Sequence, residues 1–301
     1  MTERSIYTID LNFMGIPGAI ASYLIPHRRG GVLVECGPGS TQAALQEGLE
    51  ILGYSLEDIT DVLLTHIHLD HAGAAGWLAE KGVRIHVHPR GAPHMLNPVK
   101  LLDSAGRIYG DLMETLWGAF LPVKEEMLFI VQDNDVIEIE DLQFLAIDTP
   151  GHASHHHVFV LEDICFCGDI GGVRLAGLPH LRLPMPPPEF HPGKWRASLN
   201  RLMLENFKRI APTHFGIYAD TGWHLDAIAQ ALDDVERWMV ETLPDDPTRE
   251  DLADQFLEWT RQRSIQDGLT SEQFNAYQAV NPVSVSSDGI RRYWYKYKAA
   301  N

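Results

Sequence analysis

A polar cluster directly after an apolar run constrains the fold of this chain more than any other feature. The run at 62–64 has the composition of a buried strand, and the cluster that follows holds His66, His68, Asp70 and His71. Imidazole and carboxylate groups are costly to bury unless they are paired or bound to a metal. The chain must therefore end a buried strand at a place where these four groups find partners.

The spacing within the cluster predicts two neighbouring ligand sites. His66 and His68 alternate at period two, so at the end of an extended segment their side chains point to the same side. Asp70 and His71 follow where the chain turns towards a helix, and they reach a second point beside the first. Because neutral imidazole and carboxylate are usual ligands of zinc-like ions, the pattern indicates two divalent metals.

Three later residues stand in one shared sequence context and are predicted to complete these sites. His152 follows the run FLAIDTPG, Asp169 ends the run CFCGDI, and His214 ends the run IAPTH. In each case an apolar strand leads into a turn of small residues. This context would bring the three side chains to one edge of a sheet.

Taken in order, the motifs HIHLDH, PGHASHH, CGD and THFG resemble those of the metallo-β-lactamase superfamily of hydrolases. The resemblance covers roughly residues 5–220 and is strongest to the glyoxalase II and lactonase-type branches, which use two metals. It implies an α/β fold, a four-layer αβ/βα sandwich with the metals at one edge of two facing sheets. The turn ECGPG at 35–39 resembles an early strand-end turn of the family, with Glu35 where an aspartate is usual.

The same resemblance implies a ligand set. Matched residue by residue, His66, His68 and His152 would bind the first metal, and Asp70, His71 and His214 the second, with Asp169 bridging both. Zinc is the expected ion, and iron and manganese are the alternatives, because all three metals accept histidine and carboxylate ligands.

Two such metals predict a hydrolase. Ions about 3.5–4 Å apart share a water, lower its pKa towards about 7 and hold a metal-bridging hydroxide against an electrophile. Asp70 is placed to accept a hydrogen bond from that hydroxide and is the expected catalytic residue. The favoured substrate is an ester, thioester or lactone of a small metabolite. Two alternatives stay open: a phosphodiesterase on a small phosphorylated or phospholipid-like substrate, and a mononuclear-iron sulfur (persulfide) dioxygenase.

The pattern of elements predicts a catalytic domain over residues 1–224 and a helical C-terminal extension over 225–301, packed on the same domain. Within the first range we expect a helical insertion at about 90–125 and a Pro-rich loop at 171–195, which suit the walls of a substrate site. Four residues are candidate substrate contacts: Tyr218, His94, Arg174 and His191. By contrast, the alternating His86 and His88 are expected to be structural.

Composition and charge limit the partners. With 24 Lys and Arg against 41 Asp and Glu, the net charge of −17 disfavours a nucleic-acid partner. Three cysteines make no disulfide framework, and no apolar stretch is long enough for a signal peptide or a membrane span, so we expect a cytoplasmic enzyme with no membrane insertion. The basic and aromatic segment at 291–298 is interpreted as packing on the domain or on a second copy in a homo-oligomer, with a nucleic-acid or acidic-ligand patch as the alternative.

Overall fold

The computed structural model describes residues 4–298 and contains two mixed sheets that face each other. The six-stranded sheet has the order β1-β2-β3-β4-β5-β6. Its strands are β1 (Tyr7–Asp10), β2 (Ala21–His27), β3 (Gly30–Val34), β4 (Ile59–Leu63), β5 (Arg84–Val87) and β6 (Leu128–Ile130). The first three strands pair antiparallel and the last four pair parallel. The predicted N-terminal meander therefore continues into a parallel half.

The five-stranded sheet has the order β11-β10-β9-β8-β7. Its strands are β7 (Val136–Ile139), β8 (Leu142–Asp148), β9 (His157–Leu161), β10 (Ile164–Phe166) and β11 (Arg209–Ala211). All neighbours are antiparallel except β10 and β11. Because β8, β10 and β11 consequently run in one direction, the residues that follow their carboxyl ends emerge at the same edge.

Helices cover the outer face of each sheet. The N-terminal half carries α1 (Gln42–Ile51), α2 (Leu69–Ala72), α3 (Ala75–Ala79), α4 (Ala92–Leu96), α5 (Val99–Tyr109) and α6 (Met113–Trp117). The C-terminal half carries α7 (Pro192–Leu202), α8 (Thr221–Thr242), α9 (Arg249–Gln266), α10 (Ser271–Val280) and α11 (Val283–Tyr297). Helices α4 to α6 occupy the region predicted as a helical insertion.

Three apolar clusters separate the layers. One lies between the first sheet and α1 and α3, one between the two sheets, and one between the second sheet and α7, α8, α9 and α11. In β3, Val32 and Val34 face the second sheet while Leu33 faces the helices, which explains why this strand is apolar without interruption. The helix–sheet–sheet–helix arrangement is the predicted four-layer sandwich.

The predicted boundary between the catalytic domain and the C-terminal extension falls inside a helix. Helix α8 begins at Thr221, and its residue His224 is buried with Nε2 2.7 Å from the carbonyl oxygen of Gly171. A division after 224 would separate the first four residues of α8 from the rest of the helix, so the helix starts earlier than the sequence pattern indicated. The outer limits of the predicted domains, residues 1 and 301, lie outside the described residues.

No helix between residues 4 and 298 combines the length and the apolar composition needed to cross a bilayer.

Candidate metal centre

The ends of four strands and one short helix bring the predicted ligands together. His66 and His68 follow β4, Asp70 and His71 lie in α2, and the other three follow the second-sheet strands: His152 after β8, Asp169 after β10 and His214 after β11. The two sheets meet at this edge, where the backbone N–H of His157 donates to the carbonyl oxygen of Thr65 at 2.7 Å. All seven side chains converge there, and five of them are buried.

The first group consists of His66, His68 and His152. Nδ1 of His68 lies 2.9 Å from Nε2 of His66 and 2.8 Å from Nε2 of His152, and the ligand atoms of all three lie within 4.8 Å of one another. Burial, reinforced by the neighbouring imidazoles, lowers the pKa of His66 and His68 well below the ordinary value. Buried imidazoles held neutral and aimed at one point are in the form that binds a cation.

Backbone and hydroxyl acceptors fix which ring nitrogen faces the centre. Nδ1 of His152 donates to the carbonyl oxygen of Pro184, and Nδ1 of His214 donates to that of Ala19, both at 2.8 Å. A carbonyl oxygen only accepts, so the lone pair of each ring is on Nε2, which faces the centre. Such outer contacts are typical of histidines that bind metals.

The second group consists of Asp70, His71 and His214. Oδ2 of Asp70 lies 3.4 Å from Nε2 of His214 and 3.6 Å from Nε2 of His71. Burial raises the pKa of Asp70, but the neighbouring His71 and His214 outweigh it and hold the pKa at about 2. Among residues 4–298 neither ring nitrogen of the fully buried His71 has a hydrogen-bond partner, and this leaves its Nε2 available to a cation.

Asp169 lies between the two groups. Its Oδ2 is 3.3 Å from Nε2 of His152, while its Oδ1 is 3.3 Å from Nε2 of His71 and 3.5 Å from Nε2 of His214. Oδ1 is buried and lacks a hydrogen-bond donor within the described part of the chain. One carboxylate oxygen thus faces each group, which is the placement that a bridging ligand needs. Imidazole and carboxylate groups are ligands of divalent cations, and the buried atoms here that lack a hydrogen-bond partner fit that role.

Glu35 supports this centre, although sequence reasoning assigned it no contact. Its carboxylate is buried, and Oε1 accepts hydrogen bonds from the hydroxyls of Thr65 and Thr213, the residues directly before His66 and His214. Oε1 also lies 3.3 Å from Nδ1 of His71. The sequence contained one signal of this supporting contact, the glutamate that follows the apolar run VLV. A charged residue at the end of a buried strand needs partners.

We predict that Glu35→Gln lowers kcat/KM by about 10–100-fold, the usual cost of losing an outer partner of a metal ligand. The amide keeps the shape of the side chain but removes the charge that faces His71, so metal affinity falls with the activity. Metal titration of the metal-free variant, together with steady-state kinetics, measures both. Glu138→Gln on the exposed side of β7 is the matched control, and equal losses in the two variants would contradict the supporting role.

His86 and His88 have structural contacts, in line with the sequence analysis. His88, Asp148 and His157 lie close enough to resemble a third ligand group. However, the backbone N–H of Arg90 donates to Nδ1 of His88 at 2.9 Å, so the ring proton is on Nε2, which donates to Oδ1 of Asp148 at 3.2 Å. A ring nitrogen that carries a proton has no lone pair for a metal. His86 likewise hydrogen bonds Asp61 at 2.7 Å.

A cavity of about 300 Å³ opens above the seven residues. The helical insertion, the Pro-rich loop and the helices α10 and α11 form its walls. Its apolar lining includes Leu101, Ala105, Ile108, Val280 and Val285, and its polar lining includes Lys100, Ser104, Tyr109, Glu189, Asn281 and Ser286. This combination of an apolar wall and a few polar groups is typical of small-molecule sites.

Of the four candidate substrate contacts, only His94 lines this cavity within residues 4–298. Arg174 is buried, forms a bidentate pair with Asp220 and stacks on the ring of Tyr218, with 3.8 Å from its guanidinium carbon to the ring centroid. The hydroxyl of Tyr218 donates to the carbonyl oxygen of Arg174. His191 accepts from the backbone N–H of Lys194 at the start of α7. These three side chains stabilise the second half of the fold.

Fold and site together define a metal-binding hydrolase built on a two-sheet sandwich. A sequence model of the Metallo-beta-lactamase superfamily matches residues 15–214, and the chain belongs to this superfamily. The crystal structure of an archaeal superfamily protein from Sulfolobus tokodaii superimposes with a TM-score of 0.69 over 96% of this chain and 99% of that one, at 19% identity.

Curated relatives resemble parts of the chain. A metallo-beta-lactamase fold-containing protein of Sulfurisphaera tokodaii is 24% identical over 72% of this chain and 80% of its own length. An atrochrysone carboxyl ACP thioesterase of Cryptosporiopsis sp. is 26% identical over 52% of this chain, and a hydroxyacylglutathione hydrolase of Shewanella halifaxensis is 28% identical over 46%. The matches span 37% and 42% of these two relatives, less than half of each.

Proposed function

We propose that this protein hydrolyses a carboxylic thioester or ester of a small molecule. The proposed cofactors are two divalent metal ions, with zinc as the favoured ion. The observation that carries the proposal is the position of Asp169, which directs one carboxylate oxygen at each of two histidine groups on the floor of the cavity. The names of two relatives, a thioesterase and a hydroxyacylglutathione hydrolase, support an acyl substrate of this kind. Cytoplasmic location and a homo-oligomer stay predictions from the sequence.

Each side chain has a role in this proposal. One ion would be held by His66, His68 and His152, and the other by Asp70, His71 and His214. Asp169 would bind both ions. Divalent metals supply an activated water and polarise the carbonyl oxygen of the substrate. Asp70, ionised and with 21% of its side chain exposed, would accept a hydrogen bond from that water and orient it. The apolar wall of α5 would bind the acyl group and exclude bulk water.

Removal and return of metal test the proposal. We expect chelation to abolish thioester hydrolysis and zinc to restore it with two ions per chain, measured by elemental analysis and by thiol release. Adding iron or manganese to metal-free protein identifies the native ion by its kcat/KM.

Two outcomes would overturn it. Cleavage of phosphodiesters by metal-loaded protein that leaves thioesters, esters and lactones intact would favour the phosphodiesterase alternative. One iron per chain together with oxygen uptake on a persulfide would favour the dioxygenase.

A further inference from the structure

A basic groove borders the mouth of the metal-centre cavity. It is an open cavity of about 640 Å³ between α5, the Pro-rich loop and α11. The cations that line it are Arg107, Arg249, Arg291, Arg292 and Lys296. Asp288 is the one acid among the lining residues within 4–298. The chain as a whole has a net charge of −17, so the groove is opposite in sign to the molecule that carries it.

Most of this charge is not neutralised inside the protein. Asp288 is paired with Arg249, whose Nε donates to Oδ1 at 2.6 Å. No ion pair joins the other four cations to a carboxylate within the described range. Nε of Arg291 is buried and has no hydrogen-bond partner there, and the guanidinium of this residue lies 4.9 Å from the ring centroid of Tyr295. The groove therefore offers unused donors and an attractive field for an anion.

The groove and the cavity adjoin each other. Ile108 on α5 and Pro187 in the Pro-rich loop line both spaces. An elongated molecule that passes over these two residues would place a reacting carbonyl at the metal centre and a remote group among the arginines. The apolar lining suits an acyl chain, and the groove suits phosphate groups, which guanidinium binds in a bidentate manner.

We propose that the substrate is a thioester whose thiol half carries phosphate groups, with the acyl group in the cavity and the phosphates in the basic groove. This inference rests on the proposed thioester hydrolysis. Water adds its oxygen to the carbonyl carbon, the carbon–sulfur bond breaks, and the products are a carboxylate, a free thiol and one proton. Several cations without a carboxylate partner among the described residues suit the several phosphates of a nucleotide-bearing thiol such as coenzyme A better than the single phosphodiester of a carrier protein's prosthetic group.

Two thioesters of the same acyl group test the inference: hexanoyl coenzyme A, and hexanoyl N-acetylcysteamine, which has no phosphate. For the wild type we expect kcat/KM to be at least about tenfold higher on the coenzyme A thioester than on the N-acetylcysteamine thioester. Each hydrogen bond to a charged group contributes about this factor. In the double variant Arg107→Glu, Lys296→Glu this ratio should fall at least about fivefold, mainly through KM.

The matched control is Arg28→Glu, Arg29→Glu. It makes the same change of charge at the exposed turn between β2 and β3, at the end of the sheet opposite Glu35, and should keep the wild-type ratio. Binding of adenosine 3′,5′-bisphosphate by calorimetry, without any turnover, should be lost in the groove variant and kept in the control.

The outcomes separate the two proposals. Equal kcat/KM on both thioesters, with no bisphosphate binding, would overturn the groove inference and leave thioester hydrolysis standing. Hydrolysis of an acyl carrier protein thioester but not of hexanoyl coenzyme A would also overturn it. Inertness to every thioester would overturn the proposed function, whereas bisphosphate binding that Arg107→Glu, Lys296→Glu removes would still support an anion site in the groove.

Discussion

Asp169→Ala is expected to lower the metal content from the proposed two ions per chain to one or fewer and to reduce kcat/KM by on the order of 10³-fold or more. Loss of an outer partner alone costs about 10–100-fold, and Asp169 faces both ligand groups directly, so its loss should cost more. Elemental analysis and thioester kinetics on the same preparation measure the two effects. Excess zinc should not restore the rate, because the carboxylate oxygens that face the two ligand groups are gone.

Thermal unfolding gives a readout that does not depend on turnover. A metal that binds the folded chain raises Tm, and the rise grows with occupancy. We expect the difference in Tm between zinc and chelator to shrink in Asp169→Ala and to stay at the wild-type value in the control Asp226→Ala, an exposed carboxylate on α8. If the variant keeps two tightly bound ions and full activity, Asp169 does not bridge them.

The centre itself was predictable from the sequence because side-chain direction at a strand end follows from the backbone. The alternation of His66 and His68, and the repeated step from apolar strand to small-residue turn before His152, Asp169 and His214, indicated one edge of a sheet. The structure places β8, β10 and β11 in the same direction, which brings those turns together. The four-layer fold predicted from the family resemblance is confirmed.

The surroundings of the centre were not predictable, because they depend on contacts between distant segments. Glu35 meets Thr65 and Thr213 across 30 and 178 residues, and only the pairing of the sheets sets these distances. Tyr218 stood near His214 in the sequence and looked like a pocket residue. Its backbone, however, pairs with Ile210 of β11 and turns the ring onto Arg174.

The cavity walls were predictable as segments, the helical insertion and the Pro-rich loop, but most of the side chains that line the cavity were not. Helix α5 has an amphipathic pattern that predicts one buried face but not which surface it meets. Lys100, Ser104 and Tyr109 line the cavity because α5 lies across the mouth of the metal centre, opposite the Pro-rich loop. No local pattern in either segment encodes which of its side chains face the cavity.

Trp195 is the residue that ties the fold to the centre. Its side chain is fully buried, and its Nε1 donates to the carbonyl oxygen of Ile170, directly after Asp169, at 3.0 Å. Its ring centroid lies 6.1 Å from that of His152. Gly151 packs so closely on the Trp195 backbone that an added Cβ would lie 2.4 Å from its Cα. One side chain therefore positions the turns that carry two of the predicted ligands.

Two substitutions of Trp195 separate its hydrogen bond from its volume. We expect Trp195→Phe to lower the free energy of unfolding by about 1–3 kcal/mol, because the buried carbonyl of Ile170 loses its donor. We expect Trp195→Ala to lower it by about 3–5 kcal/mol, since it also leaves a cavity beside His152. Denaturant unfolding with chelator present measures both without a contribution from metal. Trp223→Phe on the partly exposed face of α8 keeps an aromatic ring beside Arg174 and should lower the free energy of unfolding by less than Trp195→Phe does.

Metal affinity distinguishes positioning from simple packing. If Trp195 orients Asp169 through Ile170, Trp195→Phe weakens zinc binding even where the protein is fully folded, because the bridging carboxylate loses its fixed direction. If the ring only fills space, the zinc affinity of the folded variant equals that of the wild type while its stability falls. Zinc titration of both proteins well below their unfolding midpoints decides between these results. Unchanged affinity and unchanged stability together would show that Trp195 does neither.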